Sequence, residues 1–242
     1  MIIQSAYNDP GLSERRLEIT KHTCANSLWF QLEKPFVHVA VNPADPFLAE
    51  REEVFRSTGC QVKFLYRDCW RLYKENWELP EGRKIVGRMD DDDVIAKDFC
   101  LLTRNAAPAT GEMNLIWPNG YVYWRETPYI LNHKGIQFVT FVTDSMTDPH
   151  QHQHWQYHKT WPTRVVSFAP GWIWVRHGDA ATSTLVKYRK TALRSIDSKR
   201  IPVNLRAILR AIAGSGLASG DYTEHRHKQI LASVLQENEN NA

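Results

Sequence analysis

The sequence predicts an α/β protein with a largely parallel sheet. Apolar, β-branched runs of strand length alternate with segments of helical period through its first half, and Gly, Pro, Asn and Asp punctuate the joins. At 242 residues and 43% hydrophobic content, the chain is long enough to fill one large core.

The opening "IIQSAY" reads as a buried strand. "LSERRLEITKHTCANSLWFQ" follows with Leu17, Thr20, Cys24, Leu28 and Leu32 at helical spacing and Ser13 as N-cap. "FVHVAV" is a second strand. In "DPFLAEREEVFRSTG", Asp45 is expected to cap a helix, Pro46 to take its first position and Gly59 to end it. "QVKFLY" and "KIVGRM" read as the third and fourth strands, and "VIAKDFCLLTRN" as the next helix. From Met113 the chain becomes β-rich: "NLIWPNGYVYW" reads as two strands about an Asn119–Gly120 hairpin turn, with further strands in "GIQFVTFVT" and "RVVSFAPGWIWVRHG". After Thr182 helices are expected, in "VNLRAILRAIAG" and "YTEHRHKQILASVLQ". The division is therefore a domain over 1–182 and a basic helical extension over 183–242.

Charge is uneven along the chain. Residues 183–228 carry ten Lys or Arg against three Asp or Glu, although the whole chain is only +3. Such a surface attracts an anionic partner: nucleic acid, acidic lipid or a phosphorylated glycan. Solvated helix faces would also account for it. No window approaches the roughly 18 apolar residues of a membrane helix, and the N-terminus lacks the order of a signal peptide, so a cytoplasmic protein is expected. Cys24, Cys60, Cys69 and Cys100 form no CxxC pair and read as free thiols.

The chemistry concentrates in "GRMDDDDVIAKDF". Asp90 to Asp93 follow the fourth strand, at the end of a parallel sheet where ligands bind, and their mutual repulsion calls for a positive partner. In an extended chain Asp90 and Asp92 share one face, with Asp91 and Asp93 on the other. Paired carboxylates suit Mg²⁺ or Mn²⁺. An EF-hand fails, because Val94, Ile95 and Leu101 fall where a ligand, glycine and glutamate belong. The alternative is a solvated acidic turn capping a helix from Val94, for which one acid would suffice. Arg88 suits either a phosphate contact or a pairing with an aspartate.

This segment resembles the Arg-Leu-Asp-x-Asp-Asp stretch of GT-A glycosyltransferases, especially a bacterial rhamnosyltransferase group. Upstream, Ser27, Leu28 and Gln31 are similar to that group's Ser-Leu-x-x-Gln helix end, and downstream "GWIWVRHGDAATS" resembles its strand ending in His-Gly. Met89 in place of Leu, the extra acid Asp91, and Asp179 in place of Asn depart from the pattern.

The resemblance implies a GT-A-like (Rossmann-like) mixed sheet flanked by helices, and transfer of a sugar from a nucleotide-diphosphate donor to a hydroxyl acceptor, most simply a glycan. It further implies Asp90 as a contact near the ribose or the ion, and Asp90, Asp92 and the distant His177 as ligands of Mn²⁺ or Mg²⁺; beside these, Arg88 and Asp91 are candidate contacts to the nucleotide sugar. An inverting enzyme would need a carboxylate base, for which Asp144, Asp148 and Asp179 are candidates; each also suits a turn or cap. With the basic C-terminal region, a hydroxymethylated DNA base is a second acceptor. A non-enzymatic nucleic-acid-binding protein is the reading from a different class.

Two further features read as structural. "DPHQHQHWQYH" spaces His150, His152, His154 and His158 so that either a strand or a helix could gather ligands, but with no cysteine nearby it reads as a partly exposed aromatic face rather than a zinc site. Trp117, Tyr121, Tyr123, Trp124, Trp172 and Trp174 lie on predicted strands, so core packing is their default role.

Overall fold

A computed structural model describes residues 1–7, 9–66, 81–124, 127–132, 138–144, 161–175, 191–192 and 199–201. The first half alternates as expected: β1 (Ile2–Ser5), α1 (Pro10–His22), α2 (Cys24–Trp29), β2 (Phe36–Val41), α3 (Leu48–Arg56), β3 (Gln61–Tyr66) and β4 (Lys84–Asp90). Then come β5 (Val94–Ile95), α4 (Phe99–Ala106), β6 (Met113–Ile116), β7 (Asn119–Trp124), β8 (Thr127–Asn132), β9 (Val139–Thr143), β10 (Thr163–Val165), β11 (Trp172–Val175) and β12 (Thr191–Ala192).

Seven strands form a mixed sheet in the order β10-β6-β9-β4-β1-β2-β3, and five form a second sheet, β12-β8-β7-β11-β5. In the larger sheet β9 alone among these strands runs against its neighbours, pairing antiparallel with both β4 and β6. β2 lies on one side of β1 and β4 on the other, all parallel, with Gln4 level with Asp90. The chain thus changes direction of winding between β1 and β4, which opens a crevice at their carboxyl ends.

Alternation along the strands divides the core. Ile3, Val39 and Met89 pack with Cys24 and Leu28 of α2 and with Val122, Leu131 and Trp172 of the second sheet, while Ile2, Ala40 and Val86 form a smaller cluster. Trp172 and Trp117 are core residues, and each indole covers a glycine: a Cβ on Gly120 would lie 2.1 Å from Trp172, and one on Gly171 2.2 Å from Trp117.

Several boundaries differ from expectation. Asp9, not Ser13, caps α1: its Oδ1 accepts the Leu12 N–H at 2.7 Å, and Pro10 holds the first helical position. The helical stretch breaks at Thr23, which leaves helical geometry while its hydroxyl donates to Ile19 O (2.8 Å) and Asp91 O (3.2 Å). Asp45 makes a local turn, accepting from Phe47 N at 2.9 Å, so α3 starts at Leu48 and Pro46 precedes it. Val94 and Ile95 are a strand against Ile173 and Trp172 rather than the start of a helix, which begins only at Phe99. Asn119–Gly120 is no hairpin turn, because β6 and β7 belong to different sheets and Gly120 makes room for Trp172.

Beyond residue 182, Thr191–Ala192 is a short strand on β8, and the two helices predicted near the C-terminus lie outside the described residues, as does the histidine-rich segment. Among the described residues no helix is long and apolar enough to cross a membrane.

Candidate metal centre

The site grows from the ends of two adjacent strands. β4 delivers Asp90 at its last position, and a turn then carries Asp91, Asp92 and Asp93 across the crevice toward β1 and α1. The turn breaks the extended alternation expected for these aspartates. One carboxylate oxygen from each of Asp90, Asp92 and Asp93 falls within 4.8 Å of the others. Asp91 stands apart from this group.

Asp91 is fully buried and held from all sides. Oδ2 accepts from Ser5 (2.7 Å) and Thr20 (3.2 Å), and Oδ1 accepts from Tyr7 (2.7 Å) and Arg16 Nη2 (2.5 Å). Arg16 and Thr20 can both reach it because they are four apart on α1. The second arm of Arg16 donates to Asp92 Oδ2 at 2.5 Å, and its Nε to the Tyr7 hydroxyl at 2.9 Å. One guanidinium therefore ties an internal carboxylate to a member of the cluster.

Behind this layer Arg51, also fully buried, donates to Asp45 (3.0 Å), Ser5 (2.9 Å) and Ser13 Oγ (2.6 Å). Ser13 in turn donates to Asp45, and both guanidinia lie over the Tyr7 ring, at 5.5 Å for Arg16 and 5.1 Å for Arg51. Asn42 anchors the Tyr7 backbone by donating to its carbonyl at 2.8 Å. The turn thus rests on a polar, hydrogen-bonded frame supplied by β1, α1 and α3.

Electrostatics follow the same pattern. Burial works against the Arg16 charge, but Asp91 and Asp92 outweigh it and hold the guanidinium above its ordinary range. Burial also raises the Tyr7 phenol, with Arg16 opposing and Asp91 adding, so it stays protonated as a donor. The Asp90 carboxyl is raised, by desolvation first, with Arg88 opposing and the Asp92 charge adding. Because its side chain is 49% exposed, the like charges of Asp92 and, less, Asp91 are firmer raising causes than burial.

A hard dication suits this donor set. The three carboxylates offer oxygen only, sit as close together as ligands of one ion do, and repel one another without one. Arg16 neutralises part of Asp92, leaving net negative charge on the group.

The predicted residues divide accordingly. Asp90 and Asp92 come together, joined by Asp93, which sequence spacing had put on the other face. Asp91 is committed to internal donors, so its carboxylate anchors the turn. Arg88 stays on the strand, 4.0 Å from Asp90 and 3.4 Å from the Gln4 amide oxygen. Asp144, one of the candidate bases, follows β9, which runs antiparallel to β4, so it lies at the opposite end of that strand from Asp90, paired with Arg83 at 2.9 Å. Six residues of strand, about 20 Å, separate that end from Asp90. Asp148, His177 and Asp179 lie outside the described residues.

Tyr7, Arg16, Arg51 and Asp45 were not singled out as site residues from sequence. The one available signal was Arg16, set four residues before Thr20 on the apolar side of the predicted helix. Neither a scan of protein-family models nor a search of curated proteins finds a match to this chain.

Proposed function

We propose that this chain is a metal-dependent glycosyltransferase that moves a sugar from a nucleotide-diphosphate donor to a hydroxyl acceptor, most simply on a glycan. The observation that carries the reading is the convergence of Asp90, Asp92 and Asp93 outside the carboxyl end of β4, beside the crevice between β1 and β4. The mixed sheet, with a parallel first half and one reversed strand, supports the GT-A-like resemblance.

Each residue has a distinct task under this reading. Asp90, Asp92 and Asp93 would hold Mn²⁺ or Mg²⁺, which supplies Lewis-acid stabilisation of the departing diphosphate. Arg16 fixes the orientation of Asp92 through one of its oxygens. Asp91 ties the turn to β1 and α1, so the cluster is held in place before donor binds. Arg88, 16% exposed beside Asp90, is the nearest basic side chain on β4 for a donor phosphate.

A thermal-shift screen of nucleotide sugars and nucleoside diphosphates, with and without Mn²⁺, tests donor and metal together. The expected result is stabilisation by nucleotide only when Mn²⁺ is present, and its loss in Asp90→Asn, whose half-exposed carboxylate carries little of the fold. Stabilisation that ignores both the ion and that substitution would refute the assignment.

A further inference from the structure

A cavity of about 360 Å³ lies at the other end of the larger sheet, lined by Ile2 of β1, Phe36 of β2, Ile85 and Val86 of β4, and Phe99 and Cys100 of α4. Ile2, Phe36 and Lys84 each open their strands, and those strands are parallel, so the cavity sits at their amino ends. Asp90 closes β4 at the opposite end. Phe99 is held by stacking on Trp117, with 4.9 Å between ring centroids, which fixes this part of the wall. The volume falls within the range of small-molecule sites and exceeds the ~150 Å³ that holds one benzene ring in an apolar protein cavity.

The polar side chains along this wall are engaged with the protein itself. Lys34 Nζ donates to Leu28 O (2.9 Å), to Thr58 O (3.1 Å) and to Trp29 O. Thr103 Oγ1 accepts from Trp117 Nε1 at 3.1 Å, and Thr140 Oγ1 donates to Leu115 O at 3.3 Å. Arg104 pairs with Glu33 Oε1 at 2.9 Å, Glu33 Oε2 is shielded from solvent, and Lys84 Nζ reaches Asp144 O at 3.4 Å. His38 and Cys100 bring no charge at neutral pH. Burial, then the Met1 ammonium and Lys63, lower the imidazole to about 4, and burial pushes the thiol up to about 12. An ionic guest would shed its hydration against this wall without gaining an unshared counter-charge. Water is little better suited, since it needs several polar partners. A hydrocarbon gives up no hydrogen bond on entry and takes apolar surface out of water.

We propose that this cavity binds a neutral, largely hydrocarbon molecule of about two fused rings, admitted past the half-exposed ring of Phe36. The site is separate from the carboxylate cluster, and the inference stands independently of the proposed transfer reaction.

Naphthalene, naphthoate and naphthylmethylammonium, each titrated against the full chain and followed by saturation-transfer NMR and thermal denaturation, test it. Naphthalene is expected to bind saturably and to raise the melting temperature, with both ions weaker by roughly tenfold or more. Ile85→Phe and Cys100→Phe each put a ring into the cavity from a different element, and each should weaken naphthalene roughly tenfold or more, so either one that folds decides the point. Leu32→Ser should change nothing, because Leu32 is 62% exposed and lies outside the cavity. Three results would overturn the proposal. They are the lack of saturable naphthalene binding to the wild type; undiminished binding in a folded, cavity-filled variant or a loss in Leu32→Ser, either of which would put the hydrocarbon elsewhere; and an ion held as tightly as naphthalene, which would make the wall a charge-recognising one.

Discussion

Arg16 holds Asp92 at 2.5 Å with one arm of its guanidinium and Asp91 at 2.5 Å with the other, at 10% side-chain exposure. A cation is thus already built into the edge of the candidate metal centre. Removing it leaves two carboxylates with lost partners, one of them fully buried, so Arg16→Met should cost about 3–5 kcal/mol. The same change makes the cluster more negative and should tighten its hold on an added dication. Urea unfolding with and without Mn²⁺ is therefore expected to show a larger metal-dependent gain in Arg16→Met than in the wild type. Arg16→Lys keeps the charge without the fork and should fall between them. A smaller gain in Arg16→Met would mean that Arg16 prepares Asp92 for the ion rather than competing with it.

Arg51 and Asp45 form a pair with both side chains at 0% exposure, 3.0 Å apart. Neither touches Asp90, Asp92 or Asp93, yet Arg51 lies 3.8 Å from Asp91 Oδ2 and donates to Ser5, which itself donates to Asp91. Arg51→Met should cost about 3–5 kcal/mol by stranding Asp45. Asp45→Leu with Arg51→Met should cost less than the sum of the single changes, because the second substitution removes the stranded charge. A double-mutant cycle in urea reads the coupling, and additivity would show that the pair contributes no interaction of its own.

The parallel half of the fold was legible because its strands are short apolar runs separated by strong helix and turn signals, and β1 to β4 fall where those runs lie. The acidic segment was legible for a different reason: no ordinary turn needs four consecutive carboxylates. Its internal division was not. Alternation assumes an extended chain, whereas the chain turns after Asp90, so Asp93 joins the cluster and Asp91 goes inward. The partners that decide this, Ser5, Tyr7, Arg16 and Thr20, are about 70 or more residues upstream, and only the pairing of β1 with β4, with α1 following β1, brings them close. Asn119–Gly120 misled because local turn chemistry cannot register a tryptophan 52 positions later that needs the glycine's empty side.

Two glycines give opposite tests of that last point. A Cβ at Gly120 would sit 2.1 Å from Trp172 and 2.3 Å from its neighbouring ring atom, whereas Gly111 has open space but a backbone φ of +76°. Gly120→Ala should cost about 1–3 kcal/mol or more by forcing the indole off its site, with a changed near-ultraviolet tryptophan signal. Gly111→Ala should cost about 1–2 kcal/mol through backbone strain and leave that signal intact. An unaltered spectrum in Gly120→Ala would contradict the close contact.

His38 links stability to pH. It is 8% exposed, edge-on to Phe36 at 4.9 Å between ring centroids. Burial first, then the Met1 ammonium and Lys63, lower its imidazole from the ordinary 6.5 to about 4. Between those values the unfolded chain takes up a proton that the folded chain refuses, so stability is full above pH 6.5 and declines as pH falls toward 4. At pH 5.5 the loss should be about 1 kcal/mol, and little is regained by solvent screening at a site this buried. His38→Phe keeps a ring against Phe36 and removes the titration, so its urea midpoint should change less between pH 7.5 and 5.5 than that of the wild type. Equal slopes in the two proteins would place the acid sensitivity elsewhere, among the carboxylates that Arg16 and Arg51 hold.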